Sequence, residues 1–486
     1  MAANVLIRKQ RIRLTTSDEK AALQMRKVLN DDLQSELERL FERVFEQSVP
    51  DELYINIDKL SVDMGVMSAS DFKRTFIQLL EPKLASELQK QLNEYMKPDK
   101  LAEPAGTGSS DSLSSLELNL FAEQEFKALL RFLETGIFPW WYQKEQKNPA
   151  ELLNDLGTDE IEKLLLSLIG FRQSHPSGGF DAIAERLFTH LDQSGYESIV
   201  DSLLKLLNNS RLKVNSEAVL KNRAAISSIF SLSEKKFYRH LFEFLMRNRV
   251  TATDNFMVNF FQRIISLEKI NTESLRENIV NDEQAGFDEL IRNILDAEGS
   301  TPDDRATDAN ERSMFREPEE AFYIGNAGLL LLHPFLQPLF SDSGLLNADS
   351  KSFLSEQSRH KAAVLLYYLQ SGNADYKEWE MLLNKVLCGM NYPDVMPDDI
   401  LLTDRDKQSC SELLTSVVSH WSALKGAGTE ALRNTFLLRT GKMAFKEDHW
   451  LIQVERTGAD ILLDRLPWGC STVKLPWLKE LILTEW

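Results

Sequence analysis

The chain has 486 residues, of which 43% are hydrophobic and 27% are charged, so it is long enough for roughly two to four globular domains with buried cores. Its formal net charge of −18 argues against non-specific binding to nucleic acids and against attachment to anionic membrane surfaces, because both need a basic face. Composition and charge therefore predict a globular protein with neither nucleic acid nor membrane as a partner.

The cysteines and the apolar runs predict the compartment. Cys388, Cys410 and Cys470 are an odd number at wide spacing, which favours a reducing compartment over a disulfide framework. The most apolar run, Ala327–Leu332, is far shorter than the ~20 residues of a membrane span. The opening MAANVLIRKQRIRL lacks the apolar core of a signal peptide. We expect a soluble, cytoplasmic protein.

Residues 1–96 mix strand and helix patterns. The branched and charged residues of 4–14 are typical of a strand with one solvated face, and the apolar alternation in Leu53–Gly65 predicts a second strand. Ala21–Gln47, which follows a capping-box pattern formed by Thr16 and Glu19, and Asp71–Met96 have the spacing of amphipathic helices. The sequence predicts a small α+β unit with the order strand, helix, strand, helix.

Two polar segments divide the rest of the chain. The Pro, Gly and Ser content of 97–117 predicts a linker, and 118–297 is helical in period throughout. Within it, Asn148–Glu151 is a strong helix start, with a cap residue, a proline and a glutamate in order. Residues 298–320 carry eight acidic and three basic residues, which predicts a second, acidic linker.

The last region, 321–486, predicts a second α+β unit. Gly441–Glu455 has the pattern of a β-hairpin with its turn near Glu447 and Asp448. Three segments have the spacing of helices: 353–372, 375–390 and 410–426. Two further segments, 461–468 and 471–477, predict short strands that end at a proline. The predicted fold class is mainly α, with small α+β units at the amino and carboxyl ends of a multi-domain chain.

One short pattern occurs twice. LLRFLETG at Leu129–Gly136 and LLYYLQSG at Leu365–Gly372 both predict a helix that carries leucines and an aromatic residue and ends at a glycine. Two copies so far apart do not form a solenoid. Chance combined with common capping chemistry explains the similarity, and an old duplication is the alternative.

The residues of common catalytic motifs do not form a site in this sequence. Gly426, Gly428 and Ala431 match a dinucleotide fingerprint, but the preceding segment is helical in pattern, so a turn between helices is the favoured interpretation. His333 and Cys388 lie in apolar stretches typical of core residues, and a hydrolase built on either of them is the alternative. We expect no enzyme, no cofactor and no metal site.

Three proline–tryptophan pairs are the candidate functional residues. Trp140, Trp468 and Trp477 each follow a proline that ends the preceding element, and Trp141 follows Trp140. A tryptophan at such a place can close a core while its ring N–H reaches a loop carbonyl. Alternatively, these four rings anchor a protein interface, where tryptophan is enriched. Both interpretations stay open at the level of sequence.

An ordered set of fragments resembles the tape measure family of contractile injection systems, the phage-tail-like particles of bacteria. The fragments are LIRKQRIRL, IDKLSVDMG, LLRFLETGIFPWW, YIGNAGLLLLHPFLQPLF, RHKAAVLLYYLQSG, LLNKVLCGM, HWSALKGAGTEALRNTFLLRTGKM, WLIQVE, ILLDRLPWG and KLPWL. Gly426 and Gly428 depart from the more polar residues expected there. The central helical region carries little of the resemblance outside GIFPWW.

The resemblance implies a non-catalytic protein that helps set the length of the particle's inner tube. Its implied partners are inner-tube and baseplate proteins, with further copies of the same chain as an additional expectation, and its implied location extends to the assembled particle. The alternative is an assembly chaperone or adaptor that binds tube, baseplate or cargo subunits without measuring length.

Overall fold

The structure is a computed structural model, and the parts of the chain that it describes are residues 7, 10, 12–16, 18–29, 33–48, 53–57, 60–68, 71–95, 116–142, 147–175, 178–207, 209–248, 255–271 and 321–486. Contacts between residues divide the chain into two units, Met1–Lys127 and Ala128–Trp486. Helices dominate the described residues, so the predicted fold class, mainly α, is confirmed.

The first unit is built on two helices that pack against each other. Its helices are α1 (Glu19–Lys27), α2 (Gln34–Ser48) and α3 (Phe72–Tyr95). Apolar residues recur every three or four positions, the period that places them on one face of a helix. The buried ones are Leu33, Leu37, Leu40 and Val44 in and before α2, and Phe72, Phe76, Leu80, Leu84, Leu88 and Leu92 in α3.

The predicted single helix over Ala21–Gln47 is wrong, because the structure has α1 and α2 in its place. The predicted cap also differs. The side chain of Asp18 accepts a hydrogen bond from the backbone N–H of Lys20, whereas Thr16 Oγ1 accepts one from the backbone N–H of Asp18. Aspartate is as good a cap as threonine, and α1 therefore begins two residues later than the pattern of Thr16 and Glu19 predicts.

The strands of the first unit form one antiparallel pair. β1 (Leu53–Ile57) pairs with β2 (Leu116–Leu120), with Ile55 opposite Leu118. Most of the predicted first strand, 4–14, lies outside the described residues. The strand–helix–strand–helix unit predicted from sequence is therefore not shown as such.

Short helices form the helical middle, which belongs to the second unit from Ala128 onward, and several of them begin at a side-chain cap. They are α4 (Phe121–Thr135), α5 (Pro149–Asn154), α6 (Thr158–Ser174), α7 (Phe180–His190), α8 (Gln193–Leu206), α9 (Ser210–Lys221), α10 (Arg223–Ile229), α11 (Glu234–Asn248) and α12 (Phe256–Leu267). The predicted start of α5 is confirmed: Asn148 Oδ1 accepts from the backbone N–H of Ala150 and Glu151, and Glu151 Oε2 accepts from Asn148 N. α11 packs against α7, α8, α10 and α12 and is buried on most of its surface.

Residues 321–486 form what we call the carboxyl-terminal domain. Its helices are α13 (His333–Asp342), α14 (Glu356–Ser371), α15 (Leu382–Leu387), α16 (Asp404–His420) and α17 (Thr429–Leu432). Tighter 3₁₀ turns occupy Ala327–Leu332, Glu378–Glu380, Ser422–Leu424 and Gly458–Arg465, and a π turn occupies Arg433–Leu437. All six residues of Ala327–Leu332 are buried, so the most apolar stretch of the sequence is the centre of this domain's core.

A five-stranded sheet closes the carboxyl-terminal domain. Its strands are β3 (Ala321–Ile324), β4 (Gly441–Lys446), β5 (His449–Val454), β6 (Thr472–Val473) and β7 (Leu481–Glu485). Their order in the sheet is β3-β4-β5-β7-β6, and β5 and β7 are parallel while the other pairs are antiparallel. The last strand therefore lies inside the sheet, with a hydrogen-bonded neighbour on each side.

The sheet confirms one strand prediction and corrects another. The hairpin over Gly441–Glu455 is confirmed, and Glu447 at its turn has φ 52°, the left-handed conformation that a tight hairpin turn needs. The predicted strand over Ile461–Trp468 is wrong, because Gly458–Arg465 is a 3₁₀ turn. None of the helices in the described ranges combines the length and apolar composition that crossing a membrane would take.

Candidate functional site

Trp468 and Trp477 close the core of the carboxyl-terminal domain. Trp468 donates from Nε1 to the carbonyl oxygen of Leu331 at 2.9 Å, and Trp477 donates to that of Leu387 at 2.8 Å. The ring of Trp477 lies 5.4 Å from those of Phe340 and Phe353. Both tryptophans are half-buried. The contacts are those of the core-closing interpretation, and an interface role for the remaining exposed surface stays a prediction.

Trp140 and Trp141 lie in a turn after α4, and Trp140 contacts strand β3. The ring of Trp140 is 6.3 Å from that of Tyr323 on strand β3, and the ring of Trp141 is 6.4 Å from that of Tyr142. Both are half-buried. The four predicted site residues thus contact different parts of the unit, and their common role as an interface stays a prediction.

We expect Trp477→Phe to lower the free energy of unfolding by about 1–2 kcal/mol, because the ring keeps its place while the carbonyl of Leu387 loses its donor. Chemical denaturation measures this change. Trp486→Phe is the matched control: the Nε1 atom of Trp486 is buried without a hydrogen-bond partner in the structure, so its removal should cost nothing. Equal losses in the two variants would contradict the assigned hydrogen bond. Loss of assembled particles from Trp477→Phe without loss of stability would instead favour the interface.

A buried charge cluster that the sequence analysis missed joins the helical middle to the carboxyl-terminal domain. Arg186 on α7 is 0% exposed, and its Nη2 and Nε donate to Glu378 Oε1 at 2.9 and 3.1 Å. Lys385 on α15, 1% exposed, donates from Nζ to the same oxygen at 2.7 Å. We call Arg186, Glu378 and Lys385 the charge cluster; it joins residues that are 192 positions apart in sequence.

Backbone carbonyl oxygens accept further hydrogen bonds from the two cations of the charge cluster, because the single carboxylate cannot accept from all of their N–H groups. Arg186 also donates to the carbonyl oxygens of Leu133 at 3.0 Å and Pro393 at 2.6 Å, and Lys385 to that of Asp394 at 2.6 Å. Burial raises the pKa of Glu378, but the neighbouring charges of Lys385 and Arg186 outweigh it and hold that pKa below its usual value. Burial lowers the pKa of Lys385.

Aromatic rings surround the charge cluster. His190, one turn after Arg186 on α7, lies 5.3 Å from the ring of Phe132 and 6.0 Å from that of Trp379. Burial lowers the pKa of His190 to about 4, so this imidazole is neutral near pH 7. At the edge of the same contact, Lys235 Nζ lies 2.6 Å from Asp398 Oδ2.

The repeated LLxxLxxG pattern is also a structural repeat. Gly136 and Gly372 have φ of 74° and 73°, the left-handed conformation in which glycine commonly ends a helix. The hydroxyl before each glycine donates to the carbonyl four residues earlier, at 2.7 Å for both Thr135 and Ser371. The two helices end in the same local geometry.

An arginine from another element caps each of these helices. Arg186 donates to the carbonyl of Leu133, and Arg433 donates from Nε to the carbonyl of Leu369 at 3.0 Å. Each arginine also pairs with a glutamate, Glu378 for Arg186 and Glu430 for Arg433. The similarity therefore extends to a tertiary contact at the end of each helix, and the choice between chance and an old duplication stays open.

A single signal could have revealed the charge cluster. Arg186 lies within the apolar stripe of α7 beside Ile183 and Leu187, and Lys385 lies among the buried residues of α15. A charged residue at a core position is informative because charges are seldom buried without partners. What the sequence could not supply was the identity of the partner.

The other residues considered as catalytic or cofactor-binding candidates from the sequence lie in turns or in the core. Gly426 and Gly428 lie between α16 and α17, where no strand precedes them and the following helix has four residues. His333 Nδ1 is 3.0 Å from the carbonyl oxygen of Leu330, and burial raises the pKa of Cys388. Among the residues that the structure describes, no group of three His, Cys, Asp or Glu side chains is placed to hold a metal ion.

Comparisons with known proteins identify one family. No curated protein matches the chain, and no solved structure does. The model of one family, described as contractile injection system tape measure protein, matches residues 4–486, nearly the whole sequence. The match covers both units, and the chain therefore belongs to the family of contractile injection system tape measure proteins.

Proposed function

We propose that this protein helps to set the length of the inner tube of a contractile injection system through contacts with other proteins, and that its side chains catalyse no reaction. Membership of the tape measure family makes it a structural protein of such a system. The length-setting role is a proposal that goes beyond this membership. The observation that carries it is the family match along residues 4–486, since a ruler needs its whole chain.

The two parts of the second unit suit different tasks. In the carboxyl-terminal domain the last strand is inserted between β5 and β6, which interlocks distant parts of the chain. The helical middle consists of short helices whose packing partners are mostly other helices of the middle. We assign docking on the tube end or the baseplate to the carboxyl-terminal domain, and span to the middle helices. Assembly takes place in the cytoplasm and the protein enters the particle.

Length arithmetic limits how such a ruler works. A single compact body of 486 residues has a radius of gyration of about 23 Å. One continuous helix of the same chain would reach roughly 730 Å, and a fully extended chain about 1,600 Å. The described helices are short, so measuring a long tube requires several copies in series or a rearrangement of the folded chain.

The decisive test is whether the length of the tube changes in proportion to the number of residues in the middle helices. Duplicating the roughly 40 residues that contain α8, α9 and α10 adds about 60 Å per chain if the added residues span the tube as helix. We expect electron microscopy of particles from cells that carry this variant to show longer tubes, and deletion of the same helices to shorten them. The change should scale with the number of copies in series.

An insertion of equal size in the β4–β5 turn, between Glu447 and Asp448, is the matched control. It lengthens the chain inside the docking domain, so it should leave tube length unchanged. If the duplication leaves tube length unchanged while particle yield or cargo loading falls, the protein is an adaptor or assembly chaperone and the ruler proposal is wrong. Melting curves of the purified variants separate these outcomes from misfolding.

A further inference from the structure

We propose that the charge cluster is a releasable latch, which holds the middle helices α5–α12 against the carboxyl-terminal domain and lets them separate from it as a folded group. This inference rests on the proposed function, in the form in which a rearrangement of the folded chain lets it span the tube. It adds the place at which release begins and the side chains that control it.

The connection between the helices α5–α12 and the carboxyl-terminal domain is narrow. In the described part of the chain, extensive packing between elements stays within the helical middle or within the carboxyl-terminal domain. The contacts of α5–α12 with the carboxyl-terminal domain include those of Arg186 with Glu378, His190 with Trp379, and Lys235 with Asp398. The turn after α4 stays with the domain, because Trp140 contacts Tyr323 and Ile137 lies in the domain's core. Breaking a narrow connection leaves the two cores intact.

Arg186 and Lys385 are on opposite sides of this connection. Arg186 belongs to α7, whereas Glu378 and Lys385 are seven residues apart in the carboxyl-terminal domain. When α7 leaves, Arg186 enters water and Glu378 keeps Lys385 as its partner at 2.7 Å. No buried charge is left without a partner, which is the event that makes breaking most buried ion pairs costly.

The charges of the closed state are not fully balanced. Two cations share one carboxylate in a site that excludes water, and the repulsion between Arg186 and Lys385 favours opening. Closure is stabilised by the carbonyls of Leu133 and Pro393, which accept from Arg186. A joint that serves stability alone would be better filled by apolar side chains.

The geometry therefore assigns opposite effects to the two cations. Arg186→Met removes the contact across the joint and leaves a matched pair behind, so the joint should open more often. Lys385→Met removes the repulsion and leaves Arg186 as the only partner of Glu378, so the joint should open less often. If both cations were simply core groups, both substitutions would loosen the same region.

Hydrogen exchange of the purified full chain measures the opening directly. We expect exchange of the α7 amides to become at least tenfold faster in Arg186→Met while the amides of β5 and β7 keep their protection. In Lys385→Met we expect α7 exchange at least threefold slower than in the unaltered protein. Asp398→Asn, which removes a carboxylate from the exposed edge of the same joint, is the matched control and should change α7 exchange by less than threefold.

Two outcomes overturn the latch. One is faster α7 exchange in both Arg186→Met and Lys385→Met, and the other is equal loss of protection in α7 and β7 in Arg186→Met. If Arg186→Met is insoluble, Arg186→Lys takes its place, with the same expected direction and the same overturning result. Exchange is measured on the isolated protein, so a failed latch is distinguishable from a failed ruler, which is judged by tube length.

Discussion

Replacing Gly328 by alanine is expected to prevent the carboxyl-terminal domain from folding. Gly328 is buried in the 3₁₀ turn Ala327–Leu332, and a Cβ atom built on it would lie 1.5 Å from the carbonyl oxygen of Phe436 and 2.6 Å from the carbonyl carbon. Both obstructing atoms belong to backbone, which cannot rotate away as a side chain could. The turn and the π turn Arg433–Leu437 would have to move apart.

The expected loss exceeds about 4 kcal/mol, a large part of the roughly 5–15 kcal/mol that typical domains have. Denaturant titration followed by circular dichroism would show a variant unfolded or partly folded without denaturant. Gly458→Ala is the control in the same domain, since a Cβ at Gly458 meets no atom within 4 Å. A Gly328→Ala protein as stable as Gly458→Ala would contradict the close approach of the two turns.

The parts of the fold that the sequence predicted correctly are those encoded locally. The start of α5 is visible as Asn148, Pro149 and Glu151 because a capping box needs only four neighbouring residues. The β4–β5 hairpin is visible because alternation on both sides of a short turn defines both strands. These signals do not depend on what the element later packs against.

The wrong prediction for 461–468 shows how one local signal can hide another. The proline at the end suggested a strand, but Thr457 accepts from the backbone N–H of Ala459 and Asp460 Oδ2 accepts from that of Thr457 at 3.0 Å. That capping box starts a helical turn. The residues of this capping box are visible in the sequence. The apolar run Ile461–Leu463 nevertheless favoured the strand interpretation, because a short apolar run is compatible with a strand or a helix.

The pairing of Arg186 with Glu378 and the parallel strand pair could not be predicted, for a different reason. Arg186 and Glu378 are 192 residues apart. β6 lies between β5 and β7 in sequence, although β5 and β7 are neighbours in the sheet. Such contacts follow from how whole elements pack, and a single sequence contains no periodic trace of them. The tryptophans were found because their type and position are unusual, yet their partners Leu331 and Leu387 were not identifiable.

Ile482→Asp is expected to unfold the carboxyl-terminal domain, whereas Leu481→Asp, one residue earlier, is expected to be tolerated. Ile482 is 0% exposed and lies opposite Trp450 of β5 and Val473 of β6, so the new carboxylate would be buried among apolar side chains in the middle of the sheet. A buried charge without a partner costs several kcal/mol, and we expect a loss of more than about 5 kcal/mol.

Leu481 is 40% exposed, so its replacement mainly exchanges a good strand residue for a poor one, at about 1 kcal/mol. Denaturation curves of the two purified variants measure the difference. Because successive side chains of a strand point to opposite faces, a shift of one residue in the pairing of β7 would exchange the two results. Equal stability of the two variants would mean that β7 is not held between β5 and β6, and that the interlock assigned to the docking domain is absent.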